Sequence, residues 1–241
     1  MSAKTQTKTL AKTLAKTLVW LREDLRAADN PALYHAAQLG AILPVYVYDT
    51  TNTRPLGAAS KAWLHHSLSS LQKELPVQIF EGDPKEIIPS LAQNHQIETV
   101  YWNRGYSADV VNRDKTIKQD LKDKGIQVKS FKGRLLIEPW EVTTGSGDFY
   151  KVFTPFWKAC LKHFDTVDAP PAPLPTPSKI DTITDDTSVA IKTLGLLPED
   201  EDAWDEKLFN HWQVGEAAAH NKLKAFCQNG ISEYNDARDR P

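Results

Sequence analysis

A chain of 241 residues is long enough for one ordinary domain with an extension, or for two small domains. Its 41% hydrophobic and 25% charged residues can bury a sizeable core, and no run approaches the ~18 apolar residues of a membrane-spanning helix. The net charge of −2 excludes a whole-surface electrostatic grip on nucleic acid, though not a local one; two cysteines, Cys160 and Cys227, are too few for a disulfide framework or zinc site and point to a reducing, cytoplasmic setting.

Residues 1–17 are low-complexity, with Lys4, Lys8, Lys12 and Lys16 four apart and no acidic residue. Lack of arginine and short length favour a basic tail, or an upstream start codon, over an organelle presequence. Leu18 to Leu21 is the first predicted strand, closing on Arg22-Glu-Asp-Leu-Arg26. Asn30-Pro31 then opens a helix as polar cap and first-turn proline. Strands follow at Ile42–Tyr48 and Pro76–Phe80, separated by a helix over Ala59–Leu75. A helix over Lys85–Gln93 leads to the stretch Thr99-Val-Tyr-Trp-Asn-Arg-Gly-Tyr106, a β-branched and aromatic strand with a sharp polar exit. Val110, Ile117 and Leu121 recur at helical spacing up to Gly125, and Ile126–Phe131 returns as a strand. Five strands alternating with four helices through short connections predict an α/β fold, a five-stranded doubly wound parallel (Rossmann-like) sheet, over residues 18–164.

Beyond Phe131 the regular alternation ends. Two aromatic-rich stretches, Leu135–Glu141 and Phe149–Lys158, flank a turn at Gly145-Ser-Gly147, and a short helix runs to about Phe164. Five prolines between Pro170 and Pro177 mark a stiff, extended linker, and the polar run from Lys179 to Ala203 reads as surface connection, so residues 165–203 are assigned as linker. A second helical region covers residues 204–241, with Ala219, Leu223 and Phe226 on one helix face.

In open α/β sheets ligands collect outside the carboxyl ends of strands, which directs attention to Arg22-Glu23-Asp24 and Asn103-Arg104. These ends could hold a planar polar ligand; equally, Arg22 and Asp24 could pair with each other or cap the next helix. Phe153, Phe156 and Trp157 could stack on a base or pack against a neighbouring domain. No glycine lies between Arg22 and Asn30, so a pyrophosphate loop there is not expected. His65 and His66 are adjacent on a helix, point apart and do not form a metal pair. No metal site and no membrane partner is expected.

Trp20-Leu-Arg-Glu-Asp-Leu-Arg26 with Asp29-Asn-Pro-Ala-Leu33 resembles the opening of the DNA photolyase/cryptochrome family. Further similar blocks are Ala62-Trp-Leu-His-His-Ser-Leu68, Gly82-Asp-Pro84, Val100-Tyr-Trp-Asn103 with Arg113-Asp114, and Leu135-Leu-Ile-Glu-Pro139. Tyr150-Lys-Val-Phe-Thr-Pro-Phe-Trp157 is the most specific, and Gly215-Glu216 and Tyr234-x-x-x-Arg238-Asp239 complete a series in family order.

This resemblance implies an N-terminal α/β domain that carries an antenna chromophore (a folate, a deazaflavin or a flavin), and a helical domain that binds FAD and damaged DNA. It implies Tyr234 as an FAD contact and Arg238 as a DNA contact, with Arg22, Asn103 and Asp109 near the antenna. Where folate-binding members carry an Asn-Glu pair, this chain has Asp109 and Val110, a departure from that form of site. The flavin-phosphate segment Thr-Ser-x-Leu-Ser does not occur, and no residue of the chain is assigned a catalytic role. The expected function is the N-terminal part of a light-dependent photolyase that splits cyclobutane pyrimidine dimers, monomeric and not catalytic by itself. A cryptochrome-type photoreceptor and a stand-alone nucleotide- or flavin-binding module are the alternatives.

Overall fold

The computed structural model describes residues 15–51, 55–166, 172–197 and 204–239. Its centre is a parallel sheet of β1 (Ala15–Leu21), β2 (Gly40–Asp49), β3 (Gln78–Gly82), β4 (Thr99–Asn103) and β5 (Gln127–Phe131), in the order β3-β2-β1-β4-β5. Four helices make the crossovers: α1 (Pro31–Ala37), α2 (Ala58–Leu71), α3 (Pro84–Asn94) and α4 (Ala108–Asp123). The doubly wound expectation holds. Residues 1–14 of the predicted tail lie outside the described residues, but Ala15–Thr17 do not belong to a tail. They extend β1, where Thr17 pairs with both Ile42 and Thr99 and is fully buried.

Alternation along the central strand divides the core. Leu18 and Trp20 join Val45, Val100, Trp102, Ile88, Ile117 and Leu121 on the α3–α4 face. Val19 and Leu21 join Leu33, Ala36, Leu71, Leu75 and Phe131 on the α1–α2 face. A strand covered on both sides wants apolar residues at every position, as β1 has from Leu18 to Leu21. Helix starts follow capping chemistry: Asn30 accepts from Leu33 N ahead of Pro31, and Asp83 accepts from Lys85 N ahead of Pro84.

After β5 the structure departs from the expectation twice. The helix α5 spans Phe153–Thr166, so the aromatic block is its first turns rather than a loop before it. Pro155 falls within the first turn, where its missing N–H has no intrahelical duty. The second departure is the linker. Residues 179–196 do not simply traverse the surface; they lie along the open edge of the sheet. Pairing between β2 and β3 begins at Val45, which leaves Ile42 without a neighbour on that side. Ile42 N donates to Asp181 O and its carbonyl accepts from Ile183 N, both at 2.7 Å. Gln78 then donates to Ile183 O and accepts from Asp185 N, Val189 N donates to Ile79 O, and Leu194 and Leu196 bury against Leu68 and Ile79. Capping an edge in this way removes unpaired strand groups from solvent. The burial pattern of such a strap is dictated by the edge beneath it, which is why the segment shows no periodicity of its own.

Two further helices, α6 (Trp204–Phe209) and α7 (Glu216–Ala225), precede a π-turn at Phe226–Gly230 and a last turn at Tyr234–Ala237. The Glu216 carboxylate accepts from Ala27 N at 2.8 Å and Ala28 N at 2.9 Å, which ties α7 to the loop after β1.

Candidate functional site

β1 and β4 are sequence-distant neighbours whose chains leave in opposite directions, so the crevice at their carboxyl ends is the topological switch point of the sheet. Arg22 and Asn103 come together there. The Arg22 guanidinium makes a forked ion pair with Asp114 of α4 at 2.9 and 2.7 Å and donates to Asn103 O. Its backbone N–H donates to Asp24 Oδ1 at 2.8 Å, so of the two readings of Arg22 and Asp24, local pairing describes the backbone while the guanidinium serves α4. Asn103 is 4% exposed and fully engaged: Nδ2 donates to Asp24 Oδ2 (2.5 Å) and Asn30 Oδ1 (2.8 Å), and Oδ1 accepts from Ala32 N (3.1 Å). Asn30 and Asn103 together satisfy the first-turn N–H groups of Ala32 and Leu33 in α1.

Two cations approach the Trp20 ring, the Arg22 and Arg113 guanidinium carbons each 4.8 Å from its centroid, with Trp102 edge-on at 5.9 Å. Arg113 also meets Asp49 and Asp114 at 3.3 Å. Two buried donors, Trp20 Nε1 and Arg113 Nε, have no hydrogen-bond partner among the described residues.

A second cluster adjoins the exit of β4. Arg104 donates Nε and Nη2 to Glu138 Oε1 at 2.9 and 2.8 Å and Nη1 to Ser130 O at 2.7 Å, and its guanidinium lies 5.4 Å from the exposed Trp140 ring. Glu138 is 2% exposed; its Oε2 and the Tyr106 hydroxyl are buried without a partner of normal geometry. Burial, and then the Glu138 carboxylate beside it, push the Tyr106 phenol up from its ordinary value. Burial also works against ionisation of Glu141, but hydrogen bonds from Glu138 N and Lys132 hold its carboxyl below the usual range. Gly105 sets the entry to α4: a Cβ there would run into Val110 Cγ1.

The remaining expected residues do not join this cluster. Asp109 is exposed in the first turn of α4. Tyr234 is 51% exposed and packs edge-on against Phe226, 6.1 Å between centroids, while Arg238 reaches Asp239 at 3.6 Å. Arg113 and Glu138 are the residues that sequence reasoning does not select for the site, whereas Tyr106 closes the stretch it singles out. The available signal was an acidic residue in the otherwise apolar Leu135-Leu-Ile-Glu-Pro139. Two open cavities lie elsewhere, one of about 210 Å³ between α2 and Phe209-Trp212, the other of about 480 Å³ between Gln78 and the strap; neither includes Tyr234. Among the described residues no group of three or more His, Cys, Asp or Glu side chains is placed to hold a metal, and no helix is long and apolar enough to cross a membrane.

A family profile described as DNA photolyase matches residues 17–178. The chain is 36% identical over 231 residues to a deoxyribodipyrimidine photo-lyase of Agrobacterium fabrum, covering 93% of this chain and 47% of that protein. It is 31% identical over 228 residues to cryptochrome-2 of Arabidopsis thaliana, covering 90% and 37%. A solved bacterial class III photolyase from Agrobacterium tumefaciens superposes with a TM-score of 0.85 at 36% identity, over 97% of this chain and 49% of that one. The chain thus spans about half the length of these photolyases. Motif order, strand order and matched extent agree: this chain belongs to the DNA photolyase family.

Proposed function

We propose that this chain forms the α/β half of a light-driven DNA-repair protein that acts on cyclobutane pyrimidine dimers. The observation that carries the reading is the 36% identity to a photolyase over nearly the whole chain, with the same fold at a TM-score of 0.85. Damaged DNA and FAD are the substrate and cofactor of the whole protein in this reading. The described residues offer FAD one half-exposed tyrosine, Tyr234, which lines neither of the two open cavities. Arg238, exposed beside Tyr234, is the proposed DNA contact.

The switch-point crevice is the proposed seat of an antenna chromophore, which when bound supplies captured excitation. Its chemistry fits a planar heterocycle with both acceptor and donor edges. Trp20 Nε1 and Arg113 Nε are buried donors without acceptors, and Glu138 Oε2 is a buried acceptor without a donor. Arg22 and Asn103 hold the wall of the crevice by fixing α4 and α1 to the strand ends, while Asp109 stays exposed in the first turn of α4. Because Arg22 and Asn103 are already paired within the protein, ligand selectivity falls to Arg113, Tyr106 and Glu138.

Two measurements test this. The product of the complete gene, loaded with flavin, is expected to split thymine dimers in an oligonucleotide under blue light; a flavin-loaded protein that leaves them intact overturns repair in favour of a photoreceptor. The purified chain mixed with folate, deazaflavin or flavin is expected to retain absorbance above 300 nm through gel filtration, and Glu138→Ala to reduce retention about tenfold, the effect of losing one buried hydrogen bond. A colourless eluate with all three removes the antenna assignment.

A further inference from the structure

We propose that Arg22 and Arg113 protect captured excitation: acting through Trp20, their charges keep this indole from giving an electron to an excited chromophore seated in the crevice. The proposal rests on the antenna reading above and deepens it. A chromophore that accepts the Trp20 N–H lies in contact with an indole, the most readily oxidised of the aromatic side chains. In such contact the indole gives one electron to an excited flavin. The ring is oxidised to a radical cation, the flavin gains the electron, and the electron's return releases the excitation as heat. An antenna has to block the first of these transfers. Three features of Trp20 oppose it.

The first is charge. The two guanidinium carbons each lie 4.8 Å from the Trp20 ring centroid. The other aromatic rings approached by a cation among the described residues, Trp140, Phe131 and Trp212, have one each. A neutral ring attracts a cation through its π face, whereas a radical cation repels it. The Arg22 side chain is 11% exposed and that of Arg113 20%, so solvent screens this repulsion weakly. Neither arginine sheds its proton to relieve it, and ion pairs with Asp114 and Asp49 hold both groups in place.

The second is burial. Of the seven tryptophans only Trp20 and Trp102 are buried, at 1% and 2% exposure, the rest being at least 36% exposed. Water does not solvate a charge created on either ring, and an unsolvated buried charge is costly. Trp102, edge-on at 5.9 Å, is therefore no better a resting place for the missing electron's charge. The third is the proton. Loss of the Nε1 proton traps an indole radical cation and makes the oxidation lasting. Among the described residues no carboxylate or carbonyl accepts from Trp20 Nε1.

The experiment uses the purified chain with flavin mononucleotide as the probe, a deazaflavin and a folate serving in its place if it is not retained. It reads the emission lifetime of the bound fraction, resolved by anisotropy. In the wild-type chain the lifetime is expected to be of the same order as that of the free probe. Arg113→Gln removes one cation and should shorten it severalfold, with the visible absorption of a tryptophan radical appearing after the flash. Adding Trp20→Phe to Arg113→Gln should restore the long lifetime, which a merely structural effect at position 113 would not do. Near-UV circular dichroism checks that each variant is folded. Should the Trp20→Phe chain not fold, Arg113→Gln grown on fluorotryptophan, an isosteric and less oxidisable indole, should recover the lifetime instead.

A probe already quenched severalfold in the wild-type chain overturns the proposal. So does an Arg113→Gln lifetime equal to the wild type, the result expected if the paired carboxylates cancel the field of the arginines. Quenching that persists once the indole is replaced or fluorinated overturns it as well. These outcomes leave the antenna reading standing; a chain that retains none of the three probes removes that reading and the proposal with it.

Discussion

Arg22 illustrates how much of the switch point is architecture. Its guanidinium joins β1, β4 and α4 while 11% exposed, and the partner carboxylate of Asp114 is 12% exposed. Removing Arg22 leaves the largely buried Asp114 with only its 3.3 Å contact to Arg113, so Arg22→Ala is expected to lower unfolding stability by about 3 kcal/mol in urea melts. Asn103→Asp keeps the acceptor for Ala32 N, loses both donors and places a carboxylate against Asp24. It is expected to destabilise more than Asn103→Ala, by differential scanning fluorimetry. Asp185 supplies a pH response. Burial pushes its carboxyl up, but hydrogen bonds from Thr187 and His95, the latter at 2.6 Å, outweigh that and hold it below 3.8. A depressed carboxyl contributes stability above its unfolded value and loses it as pH falls through the folded one. The strap should therefore loosen as pH drops below about 4, read as faster amide exchange at Ile183 and Val189, and Asp185→Asn should abolish that pH dependence.

At the scale of elements, two glycines set tight junctions. Gly105 admits Val110 against the turn into α4, and Gly215, at φ 111°, lies so close to Ser70 that a Cβ would collide with its hydroxyl. Gly105→Ala is expected to cost about 2 kcal/mol by displacing the first turn of α4, in the range of overpacking penalties. Glu216 is the joint between the α/β layer and α7. Glu216→Ala removes the acceptor for two backbone N–H groups. The expected outcome is several-fold faster tryptic cleavage at Lys207 and Lys222 with little change in the main melting transition, since the sheet core does not include α7.

The whole molecule shows an uneven distribution of burial. The sheet and its four crossover helices enclose two apolar layers, while α5 and the region after Trp204 expose large side chains.

The α/β sheet was legible in the residues because its strands and helices announce themselves locally. Leu18–Leu21 and Thr99–Trp102 are continuous apolar runs, Asn30-Pro31 and Asp83-Pro84 are helix starts, and Gly125 is a stop. The family, too, was written in short blocks such as Tyr150–Trp157. What the chain's order could not reveal was the meeting of distant groups. Arg22 with Asp114, Arg104 with Glu138, Glu216 with Ala27 and the strap with the β2 edge are separated by 34 to 189 positions. Sequence placed Arg22 and Asn103 at strand ends, beside the crevice where open α/β sheets offer room for a ligand. Tertiary structure decided that both are consumed in pairing and that Trp20, Arg113 and Glu138 retain unfilled valences, because hydrogen-bond satisfaction depends on three-dimensional neighbours and not on residue type.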